Sequence, residues 1–324
     1  MKKRGLTIVV LVVVVIILGV IIVDFMGNRP DRRGENPYAL EVDQYRVVDA
    51  ELISHKETRN FSLGLLIASD MSYHKNILYI SGNSSLVVLP LDGTQATMLE
   101  ILPGATCLEV DDQHIFVGFG SFVAKYNHAG ELLQRWDDLG ERTVLTNLAI
   151  KEDRIYVADA GNRRIVIFNR EGEQTGEFEG KAESEAGHGF IVPSANFDLA
   201  VNSFGELWVV NPGKHAVENY SDDGRMRGFW ENMSFEIDGF LGCCNPARIT
   251  TLEDGSFVTS EKGLVRIKIY DESGVLKSVV ASPDLFKEEE GKAPEVCADE
   301  NNVIYALDFD KDMVRVFEPL ETKE

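Results

Sequence analysis

The sequence predicts an all-β fold: a six-bladed β-propeller preceded by one N-terminal transmembrane helix. Three observations carry this reading. Residues 5–23 form an unbroken uncharged, apolar run. Beyond it, short β-branched and aromatic segments alternate with Gly-, Asn- and Asp-containing turns. That plan recurs six times at intervals of 38, 40, 51, 50 and 47 residues, the period of a propeller blade.

The first element is the apolar run, Gly5 to Val23, behind the basic start Met1–Arg4. As a helix it would be about 28 Å long at ~1.5 Å per residue, one hydrocarbon thickness. It keeps no polar face, which a helix at the edge of a soluble core would show. It exceeds the apolar length of a cleaved signal peptide, and no small-residue cleavage site follows it. An uncleaved signal anchor over residues 5–26 is therefore expected, after a short tail of residues 1–4. Lys2, Lys3 and Arg4 favour an internal N-terminus, while Arg29, Arg32 and Arg33 pull the other way. The N-terminal cluster lies closer to the run, so the propeller is expected on the extracytoplasmic, periplasmic side of a single-pass membrane protein. Residues 27–40 read as a polar linker containing RPDRRGENP, and residues 41–324 as the propeller.

Charge narrows the partners. The chain has a formal net charge of −21, and residues 34–324 carry 26 basic against 51 acidic side chains. Such a surface disfavours nucleic acid and anionic lipid.

Each repeat supplies three plain strands. In NLAIKEDRIYVADAGNRRIVIF, residues 147–168, they are Leu148–Ile150, Ile155–Ala158 and Ile165–Phe168. The equivalent starts of the six copies are taken as Ser69, Cys107, Asn147, Asp198, Arg248 and Glu295. A fourth strand is expected after the Gly-containing turns, over Glu131–Trp136, Gln174–Phe178 and Val275–Val280. The last copy has too few residues after Phe317 for a fourth strand. Part of Tyr45–Ile53 or Lys56–Leu63 is expected to supply it, closing the ring and removing a free sheet edge.

The repeats resemble the NHL family of six-bladed propellers. IYVADAGNRRIVIFNREG at 155–172 and WVVNPGKHAVENY at 208–220 carry the resemblance. The segment from Phe240 to Asp271 is also similar to membrane-anchored bacterial propellers of uncharacterised function. The resemblance implies the fold, and for His215 a structural place in its repeat. Lyases of this fold use several channel histidines around zinc, and no equivalent set appears at the inner-strand starts. Lactonase-like members use channel carboxylates and an Asn on a divalent metal. Asp198, Asn147 and Glu295 match that donor chemistry, although Arg248 would repel the cation.

The inner strand of each blade lines a channel, so Ser69, Asn147, Asp198, Arg248 and Glu295 form a candidate ligand-binding ring, with Cys107 beside them. A polar rim that only neutralises itself is the plainer reading. The other reactive side chains are cysteines. Adjacent Cys243 and Cys244 have Cα atoms about 3.8 Å apart, below the ~4.4 Å that a disulfide normally spans. The leading expectation is a staple from Cys243 or Cys244 to Cys297 on the next blade. A vicinal redox pair and a soft-metal site are the alternatives. No CxxC, CxxCH or HExxH spacing is present, and no cofactor is indicated. The aromatic stretch Arg225–Asn245 reads either as a cap on the core or as an exposed docking patch. Gly180–Pro193, rich in Gly, Glu and Ala, reads as a mobile loop.

Together these features predict a binding or scaffold module at a membrane, with an accessory subunit of a membrane complex as one form of that role. A protein partner is expected, and a small-molecule ligand at the channel. A channel-site hydrolase or lyase, of the lactonase or amidating-lyase type, is the alternative, and a thiol-redox protein using Cys243 and Cys244 the third.

Overall fold

In the computed structural model, residues 2–27, 42–64, 66–181, 189–287 and 290–321 are described. The expected linker lies outside them, apart from Gly27, as do residues 182–188 of the loop expected to be mobile, with His188. The chain divides into two units, residues 1–42 and 43–324. The first contains helix α1, Lys2–Gly27. Its side chains are described over residues 11–24, all of them exposed. Among the described residues no helix is long and apolar enough to cross a membrane.

The second unit is a ring of six four-stranded antiparallel sheets. The first strand, β1 (His55–Ser62), belongs to the last blade, and blade 1 holds β2 (Ala68–His74), β3 (Ile77–Gly82), β4 (Ser85–Pro90) and β5 (Thr97–Glu100). Blade 2 holds β6 (Cys107–Val110), β7 (Ile115–Phe119), β8 (Phe122–Tyr126) and β9 (Leu132–Arg135). Blade 3 holds β10 (Leu145–Lys151), β11 (Arg154–Asp159), β12 (Arg164–Asn169) and β13 (Gln174–Phe178). Blade 4 holds β14 (Leu199–Val201), β15 (Leu207–Asn211), β16 (Ala216–Tyr220) and β17 (Met226–Glu231). Blade 5 holds β18 (Arg248–Thr251), β19 (Phe257–Ser260), β20 (Ile267–Tyr270) and β21 (Leu276–Ala281). Blade 6 holds β22 (Glu295–Ala298), β23 (Ile304–Asp308) and β24 (Met313–Pro319), with β1 (His55–Ser62) as its outermost strand.

That last pairing closes the ring. β1 runs antiparallel to β24, from His55 opposite Pro319 to Ser62 opposite Met313. The closing strand is thus the Lys56–Leu63 candidate. Tyr45–Ile53 forms no strand: it holds two short 3-10 turns, Val42–Tyr45 and Ala50–Leu52, and Ile53 makes a single bridge to Val279. Glu57 on β1 pairs with Arg315 on β24, locking the junction with a charge pair (Nε–Oε2 3.2 Å).

The strand sequences follow from position in the blade. Middle strands such as β7, β11, β15 and β23 are buried almost throughout. Both faces of each blade pack on a neighbour, so these strands need no polar face. Outer strands β5 and β9 are instead exposed at all but one position each. Apolar clusters fill the blade interfaces, one between each adjacent pair among the described residues. Glycine enters this packing directly. Gly172 has φ +83°, and a Cβ there would lie 2.2 Å from the Trp136 indole of the preceding blade. The turn therefore needs glycine both for its backbone and for the ring that lies on it.

Candidate functional site

The site is built from the starts of the inner strands. At two of the six, an aspartate ties one blade to the next. Asp70 Oδ1 accepts from Met71 N (2.9 Å), and its Oδ2 accepts from Leu108 N on β6 (2.6 Å). Asp198 repeats this with Leu199 N (2.9 Å) and Ile249 N on β18 (2.7 Å). Both carboxyls are buried. Burial, and then the charge of Glu295, push them well above the usual carboxylate range, against Arg248 and the backbone donors.

Asp70, rather than Ser69, therefore occupies the ring position in blade 1. The cause is a register shift between Ala68 and Asp70, which inserts Ser69 as an extra residue. Ser69 Oγ turns to Ser81 Oγ at 2.9 Å instead. Cys107 is fully buried in the cluster between blades 2 and 3.

Arg248 closes the ring. Its Nη1 donates to Thr146 O on blade 3 (3.3 Å), and its Nε lies 3.1 Å from Glu295 Oε2 on blade 6. One guanidinium from blade 5 thus reaches across to two other blades. The Glu295 contact is an ion pair outside hydrogen-bond geometry, so Arg248 Nε and Glu295 Oε2 make no hydrogen bond. Asn147 Oδ1 is likewise buried without a partner.

A cavity of about 380 Å³ lies along the inner strands of all six blades. Asn147 and Glu295 line it, as do Ser72, Glu109 and Thr250. Of the predicted ring, Asn147 and Glu295 line this cavity, Arg248 meets Glu295 without lining it, Asp198 is committed to the backbone and Ser69 points elsewhere. Glu109 and Ser72 were not legible as ring residues, but they lie two positions after Cys107 and Asp70, and the period of two puts each on the channel face of its strand. Asp70 was missed, and the signal that would have found it is the aspartate shared by SDMS at 69–72 and FDLA at 197–200.

Glu109 is the acidic centre of the cavity wall. Its Oε1 accepts from Ser72 Oγ and Val110 N, both at 3.1 Å. Although part of its surface opens to the cavity, burial pushes its carboxyl up to about 7. Asp111 differs: burial opposes its charge, but Arg170 (2.5 Å) and two backbone donors hold it low. His74 lines the cavity with its ring bonded to Asp112 (2.8 Å). Among the described residues, no group of three His, Cys, Asp or Glu side chains is arranged to hold a metal ion.

The cysteines depart from the expected staple. All four are free. Cys297 packs with Met71 and Tyr305 between blades 6 and 1, whereas Cys244 sits beside Ser194 and Lys262. The loop is tied to its own blade by Asn245 instead. Its Nδ2 donates to Lys262 O (3.1 Å), and its Oδ1 accepts from Lys262 N (2.9 Å). An amide offers a donor and an acceptor at once, so one side chain anchors the loop within its own blade, and the expected staple to Cys297 on the next blade is not formed. His215 is structural: buried, its Nδ1 lies 2.9 Å from Asn245 O. In the aromatic stretch, Phe240 is buried against Trp230 and Tyr270, while Phe229, Met233 and Phe235 are exposed.

Asp198→Ala is expected to cost about 2–4 kcal/mol, because two buried N–H groups on two blades lose their acceptor. Urea unfolding monitored by tryptophan fluorescence measures this. A loss below ~1 kcal/mol would mean water replaces the carboxylate.

No family model matches the chain, and no curated protein matches it. Solved structures do. Virginiamycin B lyase from Staphylococcus aureus matches with TM-score 0.56 at 13% identity, covering 81% of this chain and 99% of the lyase. A protein of unknown function from Bacteroides thetaiotaomicron matches at 0.56 and 17%, covering 81% and 72%. The WD40 β-propeller domain of Doa1 matches at 0.54 and 15%, covering 79% and 80%. At these identities the likeness is one of fold.

Proposed function

We propose that this chain is a membrane-anchored binding module whose channel receives a small amine. One observation carries the reading. The cavity wall presents negative charge and acceptor capacity without a matching cation: Asn147 Oδ1 is buried and unpartnered, and Glu109, also on the wall, accepts from Ser72 and Val110 but has no ion-pair partner among the described residues. A ligand that brings N–H donors and positive charge would satisfy both. Arg248 occupies the ring end, so a carboxylate ligand would compete with Glu295 for it.

The lactonase-type reading needs Asp198 as a metal ligand. Its two oxygens are taken by backbone N–H groups, and the Arg248 cation lies close by. Binding is therefore favoured over channel-metal hydrolysis. The apolar run of residues 5–23 supports an anchor of membrane length, with the propeller outside. The exposed Phe229, Met233 and Phe235 are the docking surface offered for a protein partner in a membrane complex. Extraction at alkaline pH and protease protection in intact cells test the anchor and its direction.

Calorimetric titration of the full chain with small primary amines, their acetylated forms and matched carboxylates tests the ligand class. Amines are expected to bind and the other two series not. Binding should weaken about tenfold per unit below pH ~7, as Glu109 takes up a proton. Glu109→Gln should remove that pH dependence. Carboxylate binding, or amine binding unaffected by Glu109→Gln, would overturn the proposal.

The same group makes stability depend on pH. Its folded value lies above its unfolded one, so its contribution is fully present below pH 4.5 and is lost as pH rises through about 7. Melting curves of Glu109→Gln should therefore be flatter than wild type across that window.

A further inference from the structure

We propose that Cys243 and Cys244 form a reversible dithiol–disulfide site that exchanges with low-molecular-weight disulfides. The two sulfurs lie 3.3 Å apart, in direct contact. Cys243 is exposed and Cys244 is buried beneath it. Access and proximity are thus divided between the two: one sulfur meets an incoming disulfide, and the other waits within reach.

The surroundings favour charge on the inner sulfur. Burial opposes the Cys244 thiolate, but Ser194, the Cys243 thiol and Lys262 outweigh it and pull its titration below the ordinary thiol range. Lys262 Nζ donates to Ser194 Oγ at 3.3 Å, holding the cation at the site. Cys243 is shifted the other way by its neighbour. The first proton to leave the pair is therefore the one on Cys244, which puts the charge of the singly deprotonated pair on the inner sulfur. Cys107 and Cys297 sit in closed apolar clusters, pushed up by burial, and serve as internal controls.

The chemistry balances in two steps. Cys243 sulfur attacks one sulfur of a small disulfide, RSSR, while its proton passes to the Cys244 thiolate. A Cys243–SR bond forms, the S–S bond of RSSR breaks, and RS⁻ leaves. Cys244 sulfur then attacks the Cys243 sulfur, expelling the second R group as RSH with the proton that Cys244 had accepted. The protein loses two electrons, and the small disulfide gains them. The ring that closes spans adjacent residues, whose Cα atoms lie closer than an unstrained disulfide requires. Strain makes such a bond easily reduced, which suits a reversible site and not a permanent staple.

Neither cysteine is among the residues lining the cavity, so this inference stands or falls apart from the amine reading. The full chain is incubated with oxidised glutathione, alkylated, digested and analysed by mass spectrometry. Wild type is expected to yield a peptide lacking two hydrogens, with Cys243 and Cys244 both protected and no glutathione attached. Dithiothreitol should restore both thiols. Cys244→Ser should stop at a stable glutathione adduct on Cys243. Cys243→Ser should react at least about tenfold more slowly, since its remaining thiol is buried. Lys262→Met should slow ring closure several-fold at unchanged melting temperature. A lasting glutathione adduct in wild type, or both thiols still alkylated after exposure to excess disulfide, would overturn the proposal. Unmodified Cys107 and Cys297 in every variant show that the fold is intact.

Discussion

Glu261→Ala is expected to lower the free energy of unfolding by about 3–5 kcal/mol, the usual cost of stranding a buried charge. Glu261, Arg266 and Lys268 have no exposed side-chain surface. Glu261 Oε2 lies 2.7 Å from Arg266 Nη2, and its Oε1 lies 2.9 Å from Lys268 Nζ. Burial alone would raise the Glu261 carboxyl, yet Lys268 and Arg266 hold it below its ordinary range. Burial conversely pulls Lys268 down to about 8. Removing the carboxylate leaves two cations in an apolar interior. Glu261→Gln keeps an acceptor and should fall between the two.

The same cluster grips the aromatic loop. Arg266 Nη2 donates to Gly239 O (3.1 Å), Lys268 Nζ to Ile237 O (3.1 Å) and Gly239 O (2.6 Å), and Tyr270 Oη to Asp238 O (2.9 Å). A triple replacement by apolar residues is therefore not expected to recover stability, because those loop carbonyls would lose their donors. Chemical denaturation of the series measures the order: wild type, Glu261→Gln, then Glu261→Ala. Recovery in the apolar triple variant would show that the loop carbonyls find water.

Loss of β1 is expected to be of similar size or larger. A chain beginning at Leu63 lacks the outer strand of blade 6, while one beginning at Val42 keeps it. The shorter chain should be less stable by on the order of 5 kcal/mol, a large part of a domain's total. It exposes the backbone edge of β24 and leaves Arg315 without Glu57. An open edge next to an acidic but partly apolar blade should also drive self-association. Sedimentation and urea unfolding of the two chains test both effects. Equal stability would mean that closure is not what holds the ring.

The blade count was readable because each blade is local. Its strands are joined by short turns, so Gly and Asx residues mark the corners and apolar runs mark the buried strands. Asn169 shows the logic: its side chain accepts from Glu171 N and Glu173 N, closing the turn that Gly172 completes. The outer strand of the last blade was narrower to read, because its partner is over 250 residues away and its own residues are mostly exposed. Ser69 was misplaced for a different reason. A one-residue bulge changes which side chain reaches the channel without changing the apolar pattern around it.

Local pattern by itself determined the apolar N-terminal run, the six-fold β repeat and the acidic character, since each depends on neighbours in the chain. Tertiary structure alone decided that Arg248 spans three blades, that Asn245 and not a disulfide ties the loop, and that Glu109 faces a cavity. These are meetings of residues tens to hundreds of positions apart. Their energies come from burial and direction, which spacing along a chain does not encode.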